Sequence, residues 1–506
     1  MTFPRASGIL LHPTSLPGRF GIGDLGREAY RFADFLADTG QHLWQMLPLG
    51  PTGYDNSPYH SLSVFAGNPL LISLERLLED NFLDPGDLVR SPSFPENLVD
   101  YEAVAKFKVP LLRKSYETFE KRATPAQRQQ LAAFCQQNAS WLDVYSLFMA
   151  LREAHDLAIW NTWEADIRSR QSEAIERWSR KLAPEIQCHQ YQQYQFFKQW
   201  AELKKYCNER GIKLIGDIPI FVALDSAEVW SHPEMFYLDE NSQPTVVAGV
   251  PPDYFSKTGQ LWGNPLYRWD VMARDGYRWW IERFRATRTL VDIIRLDHFR
   301  GFEKYWEIPG RDTTAINGRW VPGPGAAFFE TVKKVLGELP LIAEDLGVIT
   351  PEVEALRDRF EFPGMRVLQF AFSDGSGDTH KPHNYPRNCV VYTGTHDNNT
   401  TLGWFRGEDI GATTQSREER DRETQLALKY LGTDGREINW DFIRLALVSV
   451  ANTAIIPLQD ILGLGSQARM NIPGTTQGNW RWRFTTDALT DRIRDRLREM
   501  TQLYGR

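Results

Sequence analysis

The chain has 506 residues, 42% of them hydrophobic and 24% charged, ordinary values for a globular protein with a large core. Its net charge of −7 argues against a nucleic-acid partner, which needs a basic face. No apolar stretch is long and clean enough to span a bilayer, and the opening residues MTFPRAS carry no export or transit pattern, so a cytoplasmic protein without a membrane partner is expected.

Eight runs read as strands, at 7–11, 43–47, 213–218, 291–296, 341–343, 365–370, 389–392 and 453–457. Helical stretches lie between most of them, such as 28–38 and 277–289, the second with Trp279, Trp280 and Phe284 spaced for a face packed on a sheet. Strands alternating with helices predict an α/β fold, a (β/α)8 TIM barrel in one catalytic domain over 1–506. A doubly wound open sheet is the alternative, but no Gly-x-Gly-x-x-Gly turn supports it. The span 68–199 is rich in Gln, Glu, Arg and Leu, with amphipathic pieces at 126–137 and 141–155, and reads as a helical insertion. The span 223–269 is loop-rich and reads as a subdomain over the site. Beyond the eighth strand too little chain remains for a C-terminal β-sandwich, which takes about 100 residues. Cys135, Cys188, Cys207 and Cys389 form no Cys-x-x-Cys pair, so reduced thiols are expected.

Three acidic stretches carry the chemistry: RLDHFRG at 295–301, AEDLG at 343–347 and THDN at 395–398. Each follows a largely apolar run, so Asp297, Glu344 and Asp397 fall at strand carboxyl ends, the catalytic face of a barrel. Paired carboxylates there suit glycosidic bond chemistry. Arg295 lies two residues before Asp297 on a strand, so both side chains point one way, and the cation keeps the carboxylate ionised. A Glu344 held in an apolar wall suits a general acid. Each motif also has a plain structural reading: an ion pair, a first-turn helix acid (with Asp345 as the alternative cap) and a turn. No metal-ligand spacing, phosphate loop or Gly-x-Ser-x-Gly elbow is present, and no cofactor or metal is expected.

With these motifs stand GILLHPTSLP at 8–17, GIGD at 21–24, LPLGPTG at 47–53, SPY at 57–59, FAGNP at 65–69, GDIPIF at 216–221, the 249–265 loop and NIPG at 471–474. Together they run nearly end to end, and the sequence resembles the amylomaltase or disproportionating-enzyme family of 4-alpha-glucanotransferases, glycoside hydrolase family 77. The resemblance implies that Asp297 is the nucleophile, Glu344 the acid/base and Asp397 the transition-state stabiliser. It implies that Asp217, Arg295, His298 and His396 line the sugar subsite at the scissile bond and that Tyr59 stacks on that sugar. Asp253, Phe255 and Trp262 match a loop arching over the glucan path, Tyr54 resembles an aromatic near the acceptor side, and Ser57 and Asn471 complete the substrate contacts. The implied partners are α-1,4-glucans and maltooligosaccharides, and the implied state a monomer or weak homodimer. The chain departs from the family pattern at Asn399, where a second acid is usual, and at Asp55-Asn56, where Gly-Asp is usual. The residues alone leave two rivals: a hydrolase of the α-amylase clan with water as acceptor, and a non-catalytic glucan-binding barrel.

Overall fold

The computed structural model describes residues 3–53, 55–252, 256–373, 377–408 and 415–506. In chain order its strands are β1 (Ala6–Leu10), β2 (Leu43–Gln45), β3 (Lys213–Pro219), β4 (Val246–Val250), β5 (Gln260–Pro265) and β6 (Ile293–Asp297). There follow β7 (Lys304–Pro309), β8 (Arg319–Pro322), β9 (Leu341–Ala343), β10 (Gly364–Val367), β11 (Cys389–Tyr392) and β12 (Thr453–Pro457). The strands β10-β11-β12-β1-β2-β3-β6-β9 form one all-parallel sheet in that order. The Ala343 N–H donates to Pro363 O at 2.9 Å, bridging β9 to the start of β10, and the sheet curls into a nearly closed (β/α)8 barrel. All eight runs read as strands are there, three with the same ends and the others displaced by at most three residues; the 365–370 run turns into a 3₁₀ helix at Leu368–Phe370.

The barrel forms because its strands are apolar on both faces. Every residue of β11 and β12 is buried, and β-branched residues dominate them. Close strand packing leaves no room at Gly8, where a Cβ would stand 2.2 Å from Leu43 O. Helices Arg27–Asp38 and Arg278–Leu290 cover the outside, the latter burying Trp279, Trp280 and Phe284.

Between β2 and β3 the chain is mostly helical, with long helices Tyr101–Arg122, Pro125–Ala154 and Ala183–Glu209. The two amphipathic pieces at 126–137 and 141–155 are one 30-residue helix, opened by a Thr124–Gln127 capping box. The 223–269 span holds more order than a loop. Its β4 and β5 join β7 and β8 in an antiparallel sheet of order β5-β4-β7-β8, so two different barrel connections are woven into one wall above β3 and β6. After β12, helix Asp491–Leu503 returns along the barrel.

At the amino-terminal end of the strands, Arg506 donates to the carbonyls of Leu447 at 2.9 Å, Ala451 at 2.7 Å and Ala446 at 3.0 Å. Arg5 adds donations to Ser449 O and Leu447 O at 2.9 Å each. These two cations tie off carbonyls that no strand partner reaches.

Candidate active site

Parallel pairing brings the acids to one level. Leu296 on β6 is the register partner of Ala343 on β9, so the next residues, Asp297 and Glu344, leave adjacent strand ends side by side. On the other flank Asp217 of β3 is the register partner of Arg295. Arg295 Nη1 donates to Asp217 Oδ2 at 2.6 Å and to Asp297 Oδ1 at 2.8 Å, a buried cation shared by two carboxylates. Its Nε faces Met365 Sδ at 3.4 Å, from β10.

The turn after β6 is made by His298 in the left-handed conformation (φ 52°), which aims its backbone N–H at Glu344 Oε2, 2.7 Å away. Leu346 N–H donates to Glu344 Oε1 at 2.9 Å. Asp345 is occupied elsewhere, accepting from Arg357 at 2.5 Å and from the Met365 N–H at 2.6 Å. It is therefore Asp345 that serves structure and Glu344 that faces the site.

Asp397 sits in a turn after β11, in which Asn398 Oδ1 accepts from the Thr395 N–H and Oγ1 at 2.9 Å each. The turn is bonded to the loop after β12. Asn471 Nδ2 donates to Asp397 Oδ1 at 2.6 Å, Asn471 N–H to His396 O at 3.1 Å, and Arg469 Nη2 to Asp397 O at 2.6 Å. Arg469 Nε also donates to Asn471 O at 2.7 Å, so one guanidinium joins both loops. His396 Nε2 lies 3.3 Å from Asp397 Oδ2, and the His396 ring stacks on Tyr59 with centroids 5.1 Å apart. Tyr59 O–H donates to Asp217 Oδ2 at 2.9 Å.

These environments push the carboxyls apart. Burial raises Glu344 from 4.5 to about 8; Arg295 and the two backbone donors oppose that shift, and neighbouring Asp297 adds to it. Burial also acts on Asp397, but His396 and the Asn471 bond overcome it and hold that carboxyl at about 2. Burial raises Asp217 as well, against the pull of Arg295. His298 is kept neutral by burial, then by Arg300, its pKa lowered to about 3. Two buried polar atoms of these residues have no partner, Asp217 Oδ1 and His298 Nε2. The site therefore holds one protonated carboxyl, one firmly ionised carboxylate, and idle hydrogen-bonding atoms beside them. That combination suits acid–base work on a hydroxylated ligand.

The structure gathers Tyr59, Asp217, Arg295, His298, His396 and Asn471 around the three acids. Trp262 of β5 stands edge-on to His298, centroids 4.8 Å apart, and forms the wall of the antiparallel sheet. Ser57 is buried behind Tyr59, accepting the Tyr59 N–H at 3.2 Å, so its side chain shapes the turn. Tyr54, Asp253 and Phe255 lie outside the described residues, as does Tyr254. Asn399 faces away from the acids: Nδ2 donates to Ser466 Oγ at 2.7 Å, and its carbonyl accepts from Gln369 at 2.8 Å. Reasoning from sequence missed Arg469, Met365 and Trp480, the last packed on both Tyr59 and His396. Arg469 stands two residues before the NIPG motif, which is the signal that could have found it; nothing local marks the other two. Among the described residues no cluster of His, Cys, Asp or Glu is arranged to hold a metal ion.

The model of the 4-alpha-glucanotransferase family matches residues 11–489. A 4-alpha-glucanotransferase of Synechocystis sp. is 53% identical over 99% of this chain and 98% of its own length. One from Thermus thermophilus is 51% identical over 99% of each chain. Among solved structures, amylomaltase from Streptococcus agalactiae in complex with acarbose superposes with a TM-score of 0.94 at 41% identity, covering 99% of both chains.

Proposed function

The chain belongs to the 4-alpha-glucanotransferases of glycoside hydrolase family 77 and acts as one on α-glucans, and from that premise we propose that Asp297 is its nucleophile, Glu344 its acid and base, and Asp397 its transition-state stabiliser. An Asp297 oxygen attacks the anomeric carbon of an α-1,4-glucan while the Glu344 proton passes to the departing 4-oxygen. The glucan segment then stays on Asp297 as a glycosyl ester. Glu344, now a carboxylate, takes the proton from the 4-hydroxyl of an acceptor glucose or glucan, whose oxygen displaces Asp297 with net retention. The observation that carries this reading is the divergence of the acids, Glu344 pushed up to about 8 and Asp397 held at about 2, so that a proton donor and a charged stabiliser coexist at neutral pH.

The sugar at the scissile bond rests on Tyr59 and is bonded by Asp217, His298 and His396; Arg295 donates to Asp297 and holds its carboxylate in place. Tyr54, Asp253, Phe255, Trp262 and Asn471 extend the binding path, and Ser57 supports it by shaping the turn under Tyr59. A wall built on the antiparallel sheet keeps water from the ester until an acceptor arrives. The whole chain, 1–506, works as one catalytic barrel, with 68–199 as its helical insertion and 223–269 as the subdomain over the site. We place it in the cytoplasm, as a monomer or weak homodimer, with neither nucleic acid nor membrane as partner. Its cysteines, free and mostly buried, suit a reducing compartment, and its net charge is −7. Among the described residues no helix is long and apolar enough to cross a membrane.

Incubation with maltotriose tests the reading. A ladder of shorter and longer oligosaccharides with glucose supports it; glucose and maltose alone mean hydrolysis, and an unchanged substrate means a binding protein.

A further inference from the structure

Trp480 has φ 63°, the left-handed region that a bulky side chain adopts only where its surroundings enforce it. Three sets of contacts do so. Its N–H donates to Met470 O at 2.6 Å, closing the neck of the 470–480 loop that carries Asn471. Its carbonyl accepts from Tyr101 O–H at 2.8 Å, from the first residue of the insertion helix Tyr101–Arg122. The residues that follow are bonded to the segment before that helix, Val99 N–H to Arg481 O at 2.6 Å and Arg483 N–H to Asn97 O at 3.0 Å.

Trp480 is only 5% exposed, so it is no sugar platform itself. It packs against Tyr59, with centroids 5.8 Å apart, and against His396 at 5.9 Å, backing both members of the stacked pair. Tyr59 in turn bonds Asp217, and His396 faces Asp397. A core position needs no strained backbone. Here a strained backbone is held by a hydroxyl from the insertion, and it delivers a ring to the two residues that touch the acids.

We infer that Trp480 is a positioning residue for glucan transfer, holding the Tyr59–His396 ring pair, and through it Asp217 and Asp397, in their working geometry, with Tyr101 of the helical insertion as its anchor. This rests on the assignment of Asp397 as stabiliser. Misplacing a stabilising group by about an ångström costs on the order of a hundredfold in rate. Ground-state binding along the rest of the glucan path is untouched.

The test compares Trp480→Gly, which relieves the backbone and removes the ring, with Trp480→Phe, which keeps an aromatic ring, and Tyr101→Phe, which removes only the anchoring hydroxyl. Each is read by kcat, KM and pH profile on maltotriose, beside Asp397→Asn. Trp480→Gly should lose ten- to a hundredfold in kcat with KM within about threefold. Trp480→Phe should recover most of that loss, and Tyr101→Phe should show a severalfold fall in kcat. Water admitted beside His396 screens its pairing with Asp397, so the acidic limb should move to higher pH in Trp480→Gly. The other titratable and charged groups facing the pair, Asp217, Arg295, His12, Tyr59 and Arg469, remain in place. Wild-type kcat and acidic limb in Trp480→Gly overturn the inference, as does an equal loss in kcat and melting temperature that Trp480→Phe fails to rescue. If Trp480→Gly does not fold, unchanged kcat and pH profile in Tyr101→Phe overturn it. An active Asp397→Asn sinks the catalytic assignment instead, so the two failures are told apart.

Discussion

The two ends of this barrel put their charged side chains to different uses. At the amino-terminal end Arg506 and Arg5 aim their donors at the chain's own carbonyls, those of Ala446, Leu447, Ser449 and Ala451. At the carboxyl end Asp217 Oδ1 and His298 Nε2 are buried and unpartnered, and Glu344 is held against its preference for charge. A buried polar group without a partner costs about 1–3 kcal/mol. Unpartnered atoms occur at the amino-terminal end too, at Ser7 Oγ, Gln41 Oε1 and Asn388 Oδ1, but only at the catalytic end do they stand beside a buried carboxyl held against ionisation. Stability and activity should separate along the barrel axis.

Replacement at either end can break that separation. The largest effect is expected for Asp297→Asn, which should lower kcat/KM at least about a thousandfold while the melting temperature stays within a few degrees of wild type. An active variant, or one that melts far lower, would mean that the acid serves structure. Arg506→Ala should do the reverse. Stranding several buried carbonyls should cost about 3 kcal/mol in denaturant unfolding, with kcat unchanged below the melting point. A kcat that drops with stability would show that the ends are coupled.

Smaller effects sharpen the comparison. Trp262→Ala removes wall rather than chemistry, and the ratio of transfer to hydrolysis on maltotriose should fall about tenfold, the value of one good stacking contact. A constant ratio alongside lower total activity would make the wall a prop. The pH dependence is subtler. Because the pKa of Glu344 is raised in the folded state, its favourable contribution is full below the ordinary value of 4.5 and is lost as pH rises through about 8. Wild-type melting temperature should therefore decline between about pH 5 and about 8 more steeply than that of Glu344→Gln, by a few degrees. Parallel melting curves would place the titration elsewhere. The alkaline limb of kcat/KM should be centred near pH 8, where the melting curve levels off, since the first step needs the protonated acid.

Much of this was legible because local chemistry and fold agree. The runs at 389–392 and 453–457 are short, apolar and β-branched, and an acid at a strand's end is conspicuous after three buried residues. Asp297 and Glu344 were readable as partners for that reason. The antiparallel sheet was not. KYWEIP and RWVP are short and partly charged, and the ladder that joins them to the rest of the sheet runs from β7 to β4, about sixty residues upstream, so tertiary pairing is what makes them strands. The two amphipathic pieces of helix Pro125–Ala154 looked separate because its first half faces solvent and its second is packed. Trp480 was invisible for another reason: it acts through two rings, contacts with no sequence periodicity, and Arg469 could be reached only through the NIPG motif beside it. Asn399 looked like a change in the site, and its bond to Ser466 shows instead a change beneath it.

The four-stranded wall has a consequence for how such enzymes are recombined. Its strands come in two pairs, β4 and β5 from the connection after β3, and β7 and β8 from the one after β6, yet the hydrogen bonds that make it one sheet run between β4 and β7. Neither connection is a self-contained module. A chimaera that took 246–265 from one relative and 304–322 from another would splice mismatched registers at the central ladder, where a slip of one residue turns every side chain to the wrong face. The two connections form one unit of inheritance, although the chain that encodes them is interrupted by the strand bearing Arg295 and Asp297.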